Sequence, residues 1–393
     1  AIRERHATYY AELASRPRPY FFSSESEVWL DYTQAEVGNL RAALEWSQAP
    51  PERQPRAWQM TADLAWFWYR RGYLDEARRW CERAVAQTAS HEGTLARAMA
   101  LHSAGLVAMW QSDLPTARRL MDEGLATFAG LEEPAARAVA LFGRGVLAVN
   151  QGETEDAVRF LEEALDVFQG PGADWFRAIT LLHLGNAALE RGDLDVAQGY
   201  QERCLALSRS VGDRWLVASG VNNLGELARY RGEHPRAEGY YLESRDLFRE
   251  VGSPPDVARE THSLAWVSLA RGDAEEAAAL FGEALALHQQ AGVQRGVAEC
   301  LLGFAALHAH AGRAREALSL AAHGRARLEG LGACIWPADA LDLERHLEPA
   351  RVALGAAEAE RAEDDGRALD PAEALTLARR AGTAQEADAL SAP

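Results

Sequence analysis

The sequence predicts an all-α fold, a right-handed solenoid of helix-turn-helix repeats forty residues long. Three observations carry that expectation. The phrase RGDLDVAQGY, Arg191 to Tyr200, returns as RGEHPRAEGY from Arg231 and as RGDAEEAAAL from Arg271. Steps of forty from Gly192 land on Gly72, Ser112, Gly152, Gly232, Gly272 and Gly312 without insertion or deletion. Five residues beyond these anchors stand Ala77, Ala117, Ala157, Ala197, Ala237, Ala277 and Ala317.

Each element follows from residue size and position. Before the anchor, a stretch such as AITLLHLGNAALE places apolar residues at three- and four-residue steps, the period of an amphipathic helix. The anchor glycine ends that helix, because it takes the left-handed conformation without a Cβ clash. The acidic residue that often follows, as at Glu153, Asp193, Glu233 and Asp273, suits the positive end of the next helix dipole. Seven residues before the anchors all are small: Ala65, Gly105, Gly145, Gly185, Gly225, Ala265 and Ala305. Twelve after them come Ala84, Gly124, Ala164, Cys204, Ser244, Ala284 and Gly324, small again, so paired helices can approach closely. The larger residues eight past the anchors, Trp80, Leu120, Phe160, Tyr200, Tyr240, Leu280 and Leu320, are expected to fill the space between helices. Gly212, Gly252, Gly292 and Gly332 mark the connection from one repeat to the next. One hairpin cannot bury such a surface alone, whereas stacked neighbours can. The small-residue spacing is that of the tetratricopeptide repeat, with six extra residues lengthening helices or connections.

Bulk properties exclude several functions. The net charge is −17 and the chain has no lysine, so all its positive charge is arginine. A surface that repels polyanions is not expected to bind nucleic acid directly. The missing lysine also removes the phosphate-loop and Schiff-base lysines. Cys81, Cys204, Cys300 and Cys334 are widely spaced and form no CxxC pair, which suggests small core residues in a reducing compartment rather than disulfides or zinc. No apolar run nears the roughly 18 residues of a membrane span, and no signal peptide opens the chain, so a cytoplasmic location without membrane contact is expected. His308 and His310, two apart on a helix, face different directions and do not read as a metal site. No catalytic motif is present; we expect no enzyme activity, no catalytic residue, no metal and no cofactor.

We expect residues 1–54 to form an N-terminal helical cap or junction, 55–332 the seven repeats, and 333–393 a C-terminal helical cap and tail. AEVGNLRAALEW (Ala35 to Trp46) followed by WFWYRRGYLDEARRWCERA (Trp66 to Ala84) resembles the junction of actinobacterial STAND-class transcriptional regulators, the large ATP-binding LuxR-type proteins and related predicted ATPases. RERHATYYAELA, Arg3 to Ala14, is similar to their last winged-domain helix, and the stretch from Ala353 to Ala381 resembles the way their repeat arms close. Gly38 stands where that family usually has an acidic or polar residue. The resemblance implies a sensor arm cut from a longer polypeptide, as the missing initiator Met also suggests. Its repeats would receive an inducer or a partner and control an upstream nucleotide-binding ATPase domain.

In a superhelix of such repeats the first helix of each lines the concave groove. The lining positions, counted from each anchor, fall in two zones. The first is mainly apolar: Trp66, Tyr69, Met99, His102, Leu106, Met109, Trp110, Val139, Phe142, Val146, Asn150, Ile179 and Leu182. The second turns polar: Asn186, Glu190, Asn222, Glu226, Arg229, Tyr230, Arg259, His262 and Trp266. An apolar wall beside convergent polar groups is the usual make-up of a ligand or peptide site. Arg229 and Arg259 offer forks for a carboxylate or phosphate, Asn186 and Asn222 suit peptide backbone or sugar hydroxyls, and Trp266 offers a stacking face. Packing between repeats, or the routine i, i+3 pairing of Glu226 with Arg229, would use the same side chains structurally. The expected partner is a protein, a peptide or a small-molecule inducer. The alternative to a regulator's arm is a stand-alone scaffold that binds a partner's peptide in the groove.

Overall fold

The structure, a computed structural model, describes residues 1–17, 20–170 and 172–381. Among them there is no strand, and the secondary structure is helical throughout. Four α-helices precede the first repeat: α1 (Ile2–Ser15), α2 (Ser26–Ala35), α3 (Val37–Ser47) and α4 (Gln54–Asp63). Helix pairs then follow at the forty-residue interval. They are α5 (Ala65–Arg71) with α6 (Leu74–Gln87), α7 (Leu95–Trp110) with α8 (Leu114–Phe128), and α9 (Pro134–Gln151) with α10 (Thr154–Val167). Next come α11 (Asp174–Glu190) with α12 (Leu194–Val211), α13 (Arg214–Tyr230) with α14 (His234–Glu250), α15 (Pro254–Ala270) with α16 (Ala274–Ala291), and α17 (Gln294–His310) with α18 (Ala314–Leu331). The last three are α19 (Pro337–Leu354), α20 (Ala356–Ala368) and α21 (Pro371–Arg379). No described helix is long and apolar enough to cross a membrane.

Every anchor is left-handed. The six anchor glycines have φ between 72° and 85°, and Ser112 adopts φ 65° in their place. At six of the seven anchors the turn is closed the same way: the residue after the anchor donates its N–H to the carbonyl five residues back, as in Glu153 to Ala148 (2.9 Å) and Glu233 to Ala228 (2.8 Å), whereas at Gly192 the Leu194 N–H donates to the Gly192 carbonyl at 3.0 Å. The five-back bond satisfies a carbonyl which the helix end would otherwise leave open. Asp113 and Asp273 then cap the second helix, each accepting a backbone N–H from three residues on.

The small residues work as expected, but in several repeats the large partner lies one position further on. All seven alanines five past the anchors are completely buried. A Cβ on Gly105, Gly145 or Gly225 would meet Met121 at 2.6 Å, Leu161 at 2.7 Å or Tyr241 at 2.8 Å, and these residues lie nine past their anchors, not eight. Positions eight and nine, three and four residues from the buried alanine at position five, both border its stripe, so either can supply the large side chain. At position eight Trp80, Leu120 and Leu320 are buried, as expected, while Phe160, Tyr200, Tyr240 and Leu280 are only half-buried.

The chain divides into two compact bodies, one of residues 1–191 with 195–220, the other of 192–194 with 221 onward. In the N-terminal body the cap helices and first repeats share a core that includes Leu13, Leu30, Leu40, Leu44, Met60, Phe67 and Trp68. In the C-terminal body Trp266, Phe281, Phe304, Leu318, Leu343 and Leu347 belong to one core that runs from α15 to α21. First helices touch their successors, α5 to α7, α7 to α9 and α9 to α11 in one body and α15 to α17 in the other, while second helices do so far less. The first helices therefore form the inner side of each curve.

Candidate functional site

In the N-terminal body the inner side is a half-buried apolar face. Trp66 and Tyr69 on α5, Met99, Leu106, Met109 and Trp110 on α7, and Val139, Phe142 and Asn150 on α9 are all neither buried nor fully exposed. Their spacing puts them on one side of each helix, while the small residues of the opposite side pack on the second helices. Tyr69 stacks on Trp110 with ring centroids 4.5 Å apart, and Phe142 lies 5.8 Å from the His183 ring. Asn150 donates to the Val146 carbonyl at 2.9 Å. Asn186 and Glu190 on α11 are half-buried polar residues of the same body. His102 is placed differently: it is buried, and a Cβ on Gly143 would meet its Cε1 at 2.9 Å, so it fills the seam between α7 and α9.

One edge of this face is closed by aromatic rings. Trp66 meets Trp175 at 5.7 Å and Trp215 at 5.3 Å, both edge-on, and Phe22 packs on Trp66, Trp175 and Phe176. The Arg70 guanidinium sits buried over the Trp66 and Trp215 rings and donates to Glu27 at 2.5 Å. Asp213 accepts from the Leu216 N–H at 2.8 Å and from Trp175 Nε1 at 3.3 Å. Burial nevertheless pushes its carboxyl up to about 6, against those bonds and the Arg70 charge.

In the C-terminal body the corresponding positions are covered by the chain itself. Arg229 on α13 and His262 on α15 both bind the Asp339 carboxylate of α19: Arg229 Nη2 donates to Oδ1, and His262 Nε2 lies 3.0 Å from Oδ2. Burial opposes a charge on His262, but the Asp339 carboxylate outweighs it and lifts the imidazole to about 10. Burial likewise opposes ionisation of Asp339, yet the Arg229 and His262 charges hold it well below the usual carboxylate range. Trp266, 1% exposed, brings Nε1 within 3.0 Å of the same His262 nitrogen.

The remaining polar residues are engaged beside this clamp. Glu226 accepts from Tyr241 Oη (2.8 Å), Ser263 Oγ (3.1 Å) and Arg229 Nη2 (3.2 Å). Asn222 donates to Glu260 at 2.9 Å, and burial lifts that carboxyl to about 7. Arg259 is paired with Asp256 at 3.0 Å and with Glu260 at 3.4 Å, and its guanidinium lies over Phe248. Tyr230 is half-buried at the end of α13.

Residues 176–250 match a sequence profile described as the tetratricopeptide repeat, and residues 60–86 and 261–291 match a second profile of the same description. The fold is a tetratricopeptide-repeat solenoid. No curated protein sequence matches the chain. Among solved structures, it is similar to a Rap protein complexed with competence and sporulation factor, at 14% identity and a TM-score of 0.59, over 89% of this chain and 98% of that one. It is also similar to aspartyl phosphate phosphatase F from Bacillus subtilis, at 11% identity and a TM-score of 0.54, over 93% and 94%. A third is the Rap conjugation gene regulator of plasmid pLS20 in complex with the Phr* peptide, at 15% identity and a TM-score of 0.51, over 92% and 98%. At these identities the likeness is one of fold.

Within this tetratricopeptide solenoid, sequence reasoning passed over Phe22, Arg70, Trp175, Asp213, Trp215 and Asp339. Trp175, Asp213 and Trp215 stand outside the positions counted as groove-lining, at or just before helix starts, whereas Arg70 occupies a lining position, two before Gly72, but is charged where its neighbours Trp66 and Tyr69 are aromatic. Phe22 and Asp339 come from the caps, which carry no forty-residue signal. His308 and His310 have separate neighbours: His308 Nε2 lies 3.0 Å from the Leu377 carbonyl, and the His310 ring lies 6.2 Å from that of His346. Among the described residues no group of His, Cys, Asp or Glu is placed to hold a metal ion.

Proposed function

We propose that the chain is a partner-sensing tetratricopeptide domain, with no catalysis of its own, whose N-terminal body receives a peptide or protein segment on its inner face. The observation that carries this reading is the contrast between two inner faces of the same design. In the C-terminal body the face is filled by a helix; in the N-terminal body Trp66, Tyr69, Met99, Met109, Trp110 and Phe142 stay half-exposed. A contiguous apolar face of aromatic and methionine side chains, edged by Asn150, Asn186 and Glu190, is costly to leave in water and fits the make-up of a binding surface. Aromatic anchors supply most of the energy at such surfaces, and the edging amides and carboxylate would fix a peptide backbone. The peptide held by the pLS20 regulator, which shares the fold, is in keeping with this reading.

On the phrases at Ala35 to Trp46 and Trp66 to Ala84, the domain serves as the sensor arm of a STAND-class transcriptional regulator in the cytoplasm, and its occupant changes how the arm restrains an upstream ATPase. The coupling is a shift of population toward whichever curvature of the arm the ligand binds better.

The test is selection of peptides from a random library against the full chain, followed by affinity measurement on Trp110→Ala and Met109→Asp. We expect each substitution to weaken selected peptides by at least about tenfold, the loss of a central interface anchor. Equal affinity for wild type and both variants contradicts the reading.

A further inference from the structure

The C-terminal body holds one of the chain's own helices where a ligand is expected. α19 packs on α15, α17 and α18. Its inward face is Ala338, Asp339, Asp342, Leu343, Leu347 and Ala350, all buried, with two carboxylates one turn apart ahead of two leucines. Asp339 enters between Arg229 and His262, and Asp342 Oδ2 stops 3.8 Å from Arg229 Nε. A short connection tethers the helix: Arg295 on α17 covers the Trp336 ring at 4.0 Å and donates to the Cys334 carbonyl at 3.0 Å.

The clamp is only partly satisfied by this occupant. Arg229 Nε and Nη1 and Asp342 Oδ2 are buried without a hydrogen-bond partner. A buried guanidinium with unmade bonds is destabilising compared with one that a ligand satisfies fully. The seam is also open at one edge. A cleft of about 340 Å³ lined by His234, Trp266, His310, Asp342, Arg345 and His346 brings solvent to the flank of α19.

We infer that α19 is an internal ligand, and that its seat accepts an acidic amphipathic helix from a partner protein, which competes with α19 for the Arg229–His262 clamp. Charge complementarity sets the class of partner: a carboxylate against two buried cationic side chains, a second carboxylate three residues on, then leucines on the same face. The tether decides the resting state, because a helix on a short linker competes at an effective concentration on the order of millimolar. A partner helix succeeds by making the bonds that Asp342 leaves unmade or by arriving when α19 has opened.

The test uses the full chain and a labelled synthetic peptide of residues 335–354, read by fluorescence anisotropy. Asp339→Asn weakens the internal competitor, so the peptide is expected to bind that variant at least tenfold more tightly than it binds wild type. Adding Arg229→Gln to the variant, or replacing both aspartates of the peptide by asparagine, should remove the binding. A folded Asp339→Asn chain that binds the peptide no better than wild type overturns the inference, as does equal binding of the asparagine peptide. Should Asp339→Asn not fold, amide hydrogen exchange on wild type decides. Amides of α19 exchanging at least tenfold faster than those of α15 and α17 support a displaceable helix, and equal protection overturns it.

Discussion

Gln201 shows how closely one position can be specified. It stands nine past its anchor, where four other repeats place Met121, Leu161, Tyr241 or Phe281 and two place Cys81 or Ala321, and it is completely buried with neither amide atom hydrogen-bonded. An unpaired buried amide is unfavourable, so Gln201→Met should stabilise the chain by about 1 kcal/mol, seen as a higher midpoint in urea. Gly192 tests the opposite feature. Its φ is 77° and a Cβ there would touch nothing, so Gly192→Ala should cost about 1 kcal/mol through backbone conformation alone.

His262 makes a prediction about pH. Its pKa rises from 6.5 to about 10 in the folded chain, so its contribution is complete below about pH 6.5 and is lost as pH climbs toward 10. Glu260, lifted from 4.5 to about 7, has the same sign over its own lower window. Thermal midpoints should therefore fall between pH 6.5 and 10, and fall less in His262→Gln. A flat midpoint across that range would separate His262 from the stability of the C-terminal body.

Among elements, the turn and the close helix pair were legible in the sequence because each depends on one or two residues at fixed spacing. A left-handed anchor needs glycine or a strained substitute such as Ser112, and a buried alanine leaves no room for anything larger. The large partner is legible only to within one position: Trp80 and Leu320 fill it at position eight, beside the small Cys81 and Ala321, whereas Leu161, Tyr241 and Phe281 fill it at position nine. Gly225→Ala probes the corrected pairing: its Cβ would press on the Tyr241 ring at 2.8 Å, and the change should destabilise by roughly 1–3 kcal/mol in chemical denaturation. The seat of α19 was not legible. PADALDLERHLEP reads as an ordinary amphipathic helix, and Asp339 meets Arg229 across 110 residues of chain, a contact with no period to reveal it. Spacing assigned Arg229, His262 and Trp266 to the first helices, but carries no information on what covers them.

For the molecule as a whole, one repeated design serves two ends. Where α19 covers the inner face, the polar lining becomes a buried network of ion pairs; where no described helix fills it, aromatic and methionine side chains stay half-exposed. The difference lies in the caps, which are the parts of the chain without the forty-residue pattern. The central claim, that the N-terminal body's inner face is the site of partner binding, is tested most directly by amide hydrogen exchange of the full chain with and without a library-selected peptide. The account predicts new protection on α5, α7 and α9. Protection confined to the outer helices α6, α8 and α10, or the absence of any selected peptide, would contradict it.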